Sequence, residues 1–214
     1  GNYAFYGCSS LESVAIPIGI AVIRSSTFST CESLQNVVIP ISVTNIEDHA
    51  FYSCSSLKSI ELPNGLESMG YQAFAKCHAL SDVVVPGSVK DICSAAFYNC
   101  TSLTNVIIEE GVENLGGVQY FEGCTQLEYV SIPSTVKNIG NRTFYGCSAL
   151  KDSVIPNHIE NIGTAAFYGC DFWGTSFRDC NFQNTQFRNC IFMASIFKNC
   201  DFTGASFSYC VIVN

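Results

Sequence analysis

Residues 144–156 read Phe-Tyr-Gly-Cys-Ser-Ala-Leu-Lys-Asp-Ser-Val-Ile-Pro, and the spacing of Phe, Cys, Leu and Pro in this stretch recurs along most of the chain. The step is 23 residues, except for one of 24 between Phe97 and Phe121, where two glycines at 116–117 can accommodate an extra residue. The repeated Phe positions are 5, 28, 51, 74, 97, 121, 144 and 167, and a Cys follows each by three. A fixed period of this length predicts a solenoid whose repeats bury their apolar sides against one another.

The full unit reads A-F-x-x-C-x-x-L-x-x-V-x-I-P-x-x-V-x-x-I-G. Its V-x-I part alternates with period two, which predicts a short strand with both apolar side chains facing inward. Pro has no N–H to donate to a neighbouring strand, so it ends this strand. A second apolar pair, such as Val43 and Ile46, is expected to form the opposite wall, while the Phe fills the returning side.

After Cys170 the period becomes five residues. Phe recurs at 172, 177, 182, 187, 192, 197, 202 and 207, and a small residue stands two positions before each Phe. This pattern resembles pentapeptide repeats, and the resemblance implies that the small and the large residue both face inward and that four units make one four-sided turn. The segment would then form a narrow coil of a little over two turns.

Residues 4–170 resemble the BspA-like class of leucine-rich repeats, and residues 170–214 resemble pentapeptide repeats. These resemblances imply a mainly β fold: a right-handed solenoid of stacked 23-residue repeats, continued by a short quadrilateral β-helix. The predicted domains are a leucine-rich solenoid over 1–170 and a coil over 171–214 that caps its C-terminal end. The chain opens inside a repeat at Tyr3-Ala4-Phe5. Either upstream repeats are missing or the protein starts there, and a fragment is the favoured interpretation.

Composition excludes several function classes. Of the 214 residues, 48% are hydrophobic, yet no uninterrupted apolar run reaches the ~18 residues of a membrane helix. The formal net charge is −8 and no basic stripe occurs, which argues against nucleic-acid binding. We therefore expect neither membrane insertion nor a nucleic-acid partner.

Thirteen cysteines raise the question of metal or redox chemistry. Twelve occupy inward repeat positions, which predicts buried, reduced thiols, and their spacing lacks the close pairs of a metal site. Cys93 lies outside this series and is the expected reactive thiol, but no base can be assigned to it. We therefore predict no enzyme, no catalytic residue, no metal and no cofactor. Trp173, at the junction of the two segments, is expected to cover the seam.

The residues on either side of the inward V should face outward and form two rows. The first row is polar, the second is largely aliphatic, and together they predict a protein-binding strip about 30 Å long over seven strands. The alternative is that β-branched residues simply favour strands. The predicted partner-binding residues are Asn36, Val38, Ser59, Glu61, Asp82, Val84, Asn105, Ile107, Tyr129, Ser131, Asp152 and Val154.

The BspA-like resemblance implies adhesion to host or matrix proteins from a cell surface. The expected function is therefore a non-enzymatic protein-binding module that is surface-located or secreted. Two alternatives stay open. One is a structural protein that self-associates end to end through its solenoid ends. The other is a cytoplasmic scaffold, because buried thiols suit reducing conditions.

Overall fold

A computed structural model describes residues 1–150, 156 and 159–213, which wind as a solenoid of stacked turns built from short parallel strands. None of these residues belongs to a helix that could span a bilayer. The mainly β solenoid expected from the repeats is confirmed.

The V-x-I segments form the first wall. Its strands are β1 (Ser13–Ala15), β3 (Asn36–Val38), β6 (Asp82–Val85), β8 (Asn105–Ile108) and β9 (Tyr129–Ser131). Partners lie one repeat apart, as in Val83 opposite Val106, so equivalent side chains stack along the axis. The pleat sends alternate residues in opposite directions, which is why Val83 is buried and Val84 is exposed.

The second apolar pair forms the opposite wall through two-residue strands. These strands are β2 (Val22–Ile23), β4 (Asn45–Ile46), β5 (Ser68–Met69), β7 (Asp91–Ile92), β10 (Asn138–Ile139) and β11 (Asn161–Ile162). They pair in parallel as β2-β4-β5-β7 and β10-β11. The inward positions Val43, Ile46 and Val136 are buried, as the repeat predicted.

The returning side is a column of turns around the repeated Phe. Each Phe N–H from Phe5 to Phe144 donates to a carbonyl of the next repeat at 2.8–3.1 Å. The residues two before and two after each Phe have positive φ, which glycine tolerates best, and Gly123, Gly146 and Gly169 supply it on the later repeats. Successive rings stack with centroids 5.2–5.8 Å apart.

The 24-residue repeat contains Tyr120 where most other repeats have Ala before the Phe. The buried Tyr120 hydroxyl donates to the Ile92 carbonyl at 2.7 Å, and the Gly117 N–H donates to that hydroxyl. A Cβ on Gly117 would lie 2.6 Å from the hydroxyl oxygen. The extra residue and its glycine therefore make room for a ring that the regular repeat could not hold.

Beyond Cys170 each turn contains 20 residues. The strands are β12 (Ser176–Arg178), β13 (Gln186–Arg188), β14 (Ile196–Lys198) and β15 (Ser206–Ser208), and each pairs with the strand 20 residues away. The Phe residues of this coil are buried from Phe172 to Phe192, half-buried at Phe197 and Phe202, and exposed at Phe207. The expected inward placement of Phe is confirmed from Phe172 to Phe192.

The two segments meet as one continuous stack. Phe167 contacts the rings of Phe172 and Phe187, and the Cys190 thiol donates to the Phe167 carbonyl at 2.9 Å. The Gly169 N–H donates to the Arg188 carbonyl at 3.1 Å. Trp173 is 65% exposed, so the expectation that it covers the seam is wrong.

Candidate interaction face

The two outward rows of the first wall are exposed as predicted. In the aliphatic row Val38 is 63% exposed and Val84 and Ile107 are each 45% exposed. Ser131 is half-buried, and Asp152 and Val154 lie outside the described residues. The remaining predicted residues of the two rows, including Glu61 and Tyr129, are exposed. The face thus presents apolar side chains that the protein's own packing does not use.

Hydrogen bonds along the axis order the polar row. Asn105 Nδ2 donates to Asp82 Oδ1 at 2.9 Å, and the Ser81 hydroxyl donates to Asp82 Oδ2 at 2.6 Å. The bond from Ser81, followed by that from Asn105, lowers the pKa of the Asp82 carboxyl below its ordinary value. Asp82 is therefore a fixed negative charge at neutral pH.

The strip is interrupted, which the repeats did not predict. Residues 59–61 form only an isolated bridge, from Ser59 to Asp82, and within the described chain no strand pairing joins them to β3. A depression of about 220 Å³ lies at this gap, lined by Asn36, Val38, Ile39, Ser59 and Glu61. Over the described residues, the strip that was expected to be continuous is therefore two segments with a recess between them, and its last predicted strand, at 152–154, lies outside the described residues.

The face also has apolar residues that sequence reasoning missed. Ile18 and Ile41 follow the strand-ending Pro of the first two repeats and are 90% and 88% exposed. Other repeats have Asn64, Gly87 or Ser134 at this position. The sequence signal was an apolar residue directly after Pro in adjacent repeats.

The acidic pair Glu109-Glu110 accepts hydrogen bonds from both neighbouring repeats. Glu109 Oε2 accepts the Gly87 N–H at 3.2 Å. The Glu110 carboxylate accepts the N–H and the hydroxyl of Ser134 at 2.9 and 3.0 Å. These carboxylates therefore tie neighbouring repeats together in the loops that follow the strands.

The repeated thiols are hydrogen-bond donors inside the core. The repeat cysteines from Cys31 to Cys170 each donate to the carbonyl oxygen of the Phe of the preceding repeat at 3.0–3.2 Å, and Cys190 donates to the Phe167 carbonyl at 2.9 Å. Burial raises the pKa of Cys100 to about 12, and the pKa of Cys124 is raised by burial and by its Cys neighbours. These thiols stay protonated, so they are not nucleophiles at neutral pH.

Two cysteines are exposed rather than one. Cys93 is exposed as predicted, and Cys8 is exposed because no turn precedes it in the described stack. Cys200 and Cys210 are half-buried, so the expectation of twelve buried thiols is wrong for three of them. All 13 cysteines fall within the described residues, and no disulfide joins any two. In that same part of the chain, no cluster of three metal-ligating side chains occurs.

Comparison with known proteins identifies the repeats. The profile of the "BspA type Leucine rich repeat region" matches in six copies over residues 1–118 and 70–211. A leucine-rich repeat protein of T. pallidum is 37% identical, with a TM-score of 0.66 over 70% of this chain and 69% of that one. None of the curated proteins searched matches the sequence.

Two further solved structures share the fold. One is a leucine-rich repeat protein from Bacteroides ovatus, 20% identical, with a TM-score of 0.60 over 97% of this chain and 77% of that one. The other is described as a leucine rich cell surface protein from Faecalibacterium prausnitzii. It is 25% identical, with a TM-score of 0.50 over 92% of this chain and 62% of that one.

Proposed function

The chain belongs to the BspA-type leucine-rich repeat family, and on that premise we propose that it is a non-enzymatic protein-binding module of a cell surface. The observation that carries the proposal is the outward row of aliphatic side chains at Val38, Val84 and Ile107. These side chains are regularly spaced, exposed and beside a polar row, a mixture found in protein interfaces. The partner is a protein of a host or of its matrix.

The chemical state of the buried cysteines supports a binding role over a catalytic one. The repeated thiols are buried and protonated, and they serve as donors to backbone carbonyls. Leucine-rich repeat proteins generally mediate protein interactions, and in this chain the inward residues form the core while the outward rows are exposed. The binding residues we assign are those of the two rows, with Asp152 and Val154 included from the sequence pattern.

Surface location is the second part of the proposal. It is supported by the Faecalibacterium prausnitzii structure, which is described as a cell surface protein. Protease shaving of intact cells followed by peptide mass spectrometry tests it. Recovery of this chain's peptides only after lysis would instead favour the cytoplasmic scaffold.

The C-terminal coil is proposed to be a pentapeptide-repeat cap over 171–214 on a solenoid of residues 1–170. The support is the 20-residue turn with Phe at every fifth position. A narrower coil covers the apolar end of the last wide turn, which would otherwise be an aggregation hazard. If the coil acts as a cap, partner binding belongs to the wider solenoid of residues 1–170.

End-to-end self-association is a second candidate, favoured by apolar surface at both ends of the described stack. An apolar cleft of about 340 Å³ at one end is lined by Phe5, Ile23 and Phe28, and Phe207 is exposed at the other. Analytical ultracentrifugation over a concentration series separates the two candidates. End-to-end assembly predicts a sedimentation coefficient that increases without limit, whereas a binding module stays monomeric.

The binding proposal is tested by the double variant Val84→Lys/Ile107→Lys. It should abolish partner capture while changing the free energy of unfolding by only about 0.5 kcal/mol, because both side chains are exposed. Ser102→Lys/Gln126→Lys is the matched control, since it adds two lysines at exposed equivalent positions of adjacent repeats away from the strands. Undiminished capture by the strand-face variant would contradict the proposal.

A further inference from the structure

The recess between the second and third repeats combines an aliphatic wall with a carboxylate. Val38 and Ile39 lie on one side, and Ser59 and Glu61 on the other. Val38 is more exposed than Val84 and Ile107, the aliphatic side chains at the equivalent position of later repeats. The recess occupies about 220 Å³, a volume that suits a single long side chain and is too small for a folded element.

Among the described residues, the side-chain polar groups of the recess have no hydrogen-bond or ion-pair partner. The two ion pairs among the described residues are Arg24–Glu47 and Arg142–Glu122, so the Glu61 charge is not neutralised there. Across residues 1–150, 156 and 159–213, no hydrogen bond engages the side chain of Asn36, Ser59 or Glu61. By contrast, Asp82 in the next repeat already accepts hydrogen bonds from Ser81 and Asn105.

The local backbone explains why space exists here. Strands β1 and β3 pair with each other, and β6, β8 and β9 pair among themselves, but residues 59–61 bridge only to Asp82. Elsewhere in the first wall, for example between β6 and β8, four consecutive residues pair in register. The recess that holds the Glu61 carboxylate therefore lies where residues 59–61 and β3 are not paired.

We propose that this recess binds a lysine or arginine side chain presented by the partner protein. The aliphatic stem would lie against Val38 and Ile39, and the cationic end would meet the Glu61 carboxylate, with Asn36 and Ser59 as further acceptors. Long basic side chains combine an apolar stem with a charged end, which matches the recess. The net charge of −8 adds an attraction for basic partners. This inference rests on the proposed binding function of the strand face and assigns its partner's chemistry.

The test is an NMR titration of the intact chain with three capped tripeptides, Ala-Lys-Ala, Ala-Arg-Ala and Ala-norleucine-Ala. Norleucine has the lysine stem without the charge. The two basic peptides should shift the amide signals of residues 36–39 and 59–61, and the norleucine peptide should shift them much less. Equal shifts from all three peptides would show an apolar patch and overturn the inference, as would no shift from any.

Glu61→Gln should increase the Kd of the two basic peptides about two- to fivefold, as expected for the loss of one exposed ion pair. Glu113→Gln removes an exposed acid elsewhere and should change nothing. Val38→Ser should weaken all three peptides, because it removes the wall for the stem. If Glu61→Gln and Glu113→Gln lowered the affinity for the basic peptides equally, the effect would come from net charge alone and the proposed site would be wrong.

The two proposals fail differently. If Val84→Lys/Ile107→Lys abolishes partner capture while the tripeptides leave residues 36–39 and 59–61 unshifted, the strand face stands and this inference fails. If the tripeptides bind as described while the same lysine variant captures partner normally, the recess stands and the proposed extent of the binding face fails.

Discussion

The 23-residue repeats and the coil, whose turns contain 20 residues, stack along one axis but differ in how their interior is packed. The wide turns contain one repeated Phe each, and consecutive rings stack nearly parallel, at 4–15°. The coil has four Phe per turn. Its sequential rings meet at 69–83° between Phe172 and Phe192, and rings one turn apart stack at 5.0–5.3 Å.

The spacing between turns is common to both parts, because parallel strand pairing sets it at about 5 Å. What differs is the cross-section. One ring per turn leaves room for Leu, Val and Ile and for two walls of strands, whereas four rings fill the coil with little else. Only the wide part therefore has a broad outward strand face, and we assign binding to it and closure to the coil.

The thiols differ in the same way. The column of buried thiols from Cys31 to Cys170, and Cys190 at the seam, donate to a Phe carbonyl of an earlier turn at 2.9–3.2 Å. Farther along the coil Cys200 donates to the Phe177 carbonyl at 3.7 Å, whereas Cys180 and Cys210 donate to the carbonyls two residues before them at 3.3 and 3.6 Å. The hydroxyls of Thr175 and Thr185 are buried without a hydrogen-bond partner among the described residues. The coil is held by backbone hydrogen bonds between its turns and by its stacked rings.

Deleting residues 171–214 should have the largest effect. It removes the rings of Phe172 and Phe187 from Phe167, and the thiol donor of Cys190 from the Phe167 carbonyl. The exposed edge should make the truncated chain aggregate or dimerise, as measured by size-exclusion chromatography with light scattering. Any surviving monomer should bind partner normally. A soluble monomer that has lost binding would reverse the roles given to the two parts.

Removing one buried Phe ring should lower the free energy of unfolding by a similar amount in the wide repeats and in the coil. Phe74→Ala and Phe177→Ala should each lower the free energy of unfolding by about 3–5 kcal/mol, because both rings are fully buried. Phe5→Ala, in the same column but 45% exposed, is the control and should cost much less. Urea denaturation measures all three. A small loss for Phe177→Ala alone would show that the coil is not tightly packed.

Alkaline pH should weaken the wide part through its thiols. An unfolded thiol titrates near its ordinary pKa of 9.0, whereas burial holds the Cys100 pKa at about 12. This stabilisation is therefore complete below pH 9 and is lost as the pH rises from 9 towards 12. Cys100→Ala should reduce the pH dependence of the unfolding free energy by up to about 1.4 kcal/mol per pH unit.

Urea unfolding across this pH range measures that slope. Leu103→Ala is the control, because it opens a cavity without removing a titrating group. An identical slope in the wild-type chain and in Cys100→Ala would show that the thiol is not held protonated.

Thiol reactivity should distinguish exposed from buried cysteines in the unmutated chain, and this is the smallest of the expected effects. Under native conditions an alkylating reagent should modify Cys8 and Cys93 first and the half-buried Cys200 and Cys210 next. The buried thiols should react only after unfolding. Peptide mass spectrometry reads the order, and disulfides between consecutive repeat cysteines would contradict it and indicate an oxidising compartment.

The repeat pattern was sufficient to predict side-chain orientation and strand pairing, but it did not predict the features in which one repeat differs from the others. The inward and outward positions of Val83 and Val84 follow from period two, and the pairing across repeats follows from period 23. The insertion at Gly117 was visible, but its reason was not, because only the structure shows Tyr120 bonded to Ile92. Cys8 fits the pattern and is nevertheless exposed, since burial depends on a neighbouring turn.

The outward strand face, to which we assign binding, was also predicted only in part. Its rows come from strand alternation, so Val38 and Ile107 were correctly placed outward. The recess at Glu61 could not be predicted, because residues 59–61 keep the apolar pattern while their pairing to β3 is absent. Pairing depends on how far neighbouring strands separate, which is a property of the stacked repeats and not of one repeat.

The central claim is that inward residues hold the fold and outward residues of the same strand are free to bind. The most direct test compares the free energies of unfolding of Val83→Lys and Val84→Lys, two adjacent residues of β6 that are 3% and 45% exposed. Val83→Lys should cost more than about 4 kcal/mol, because it buries an unpaired charge, and Val84→Lys should stay within about 0.5 kcal/mol. Similar losses for the two variants would contradict the account.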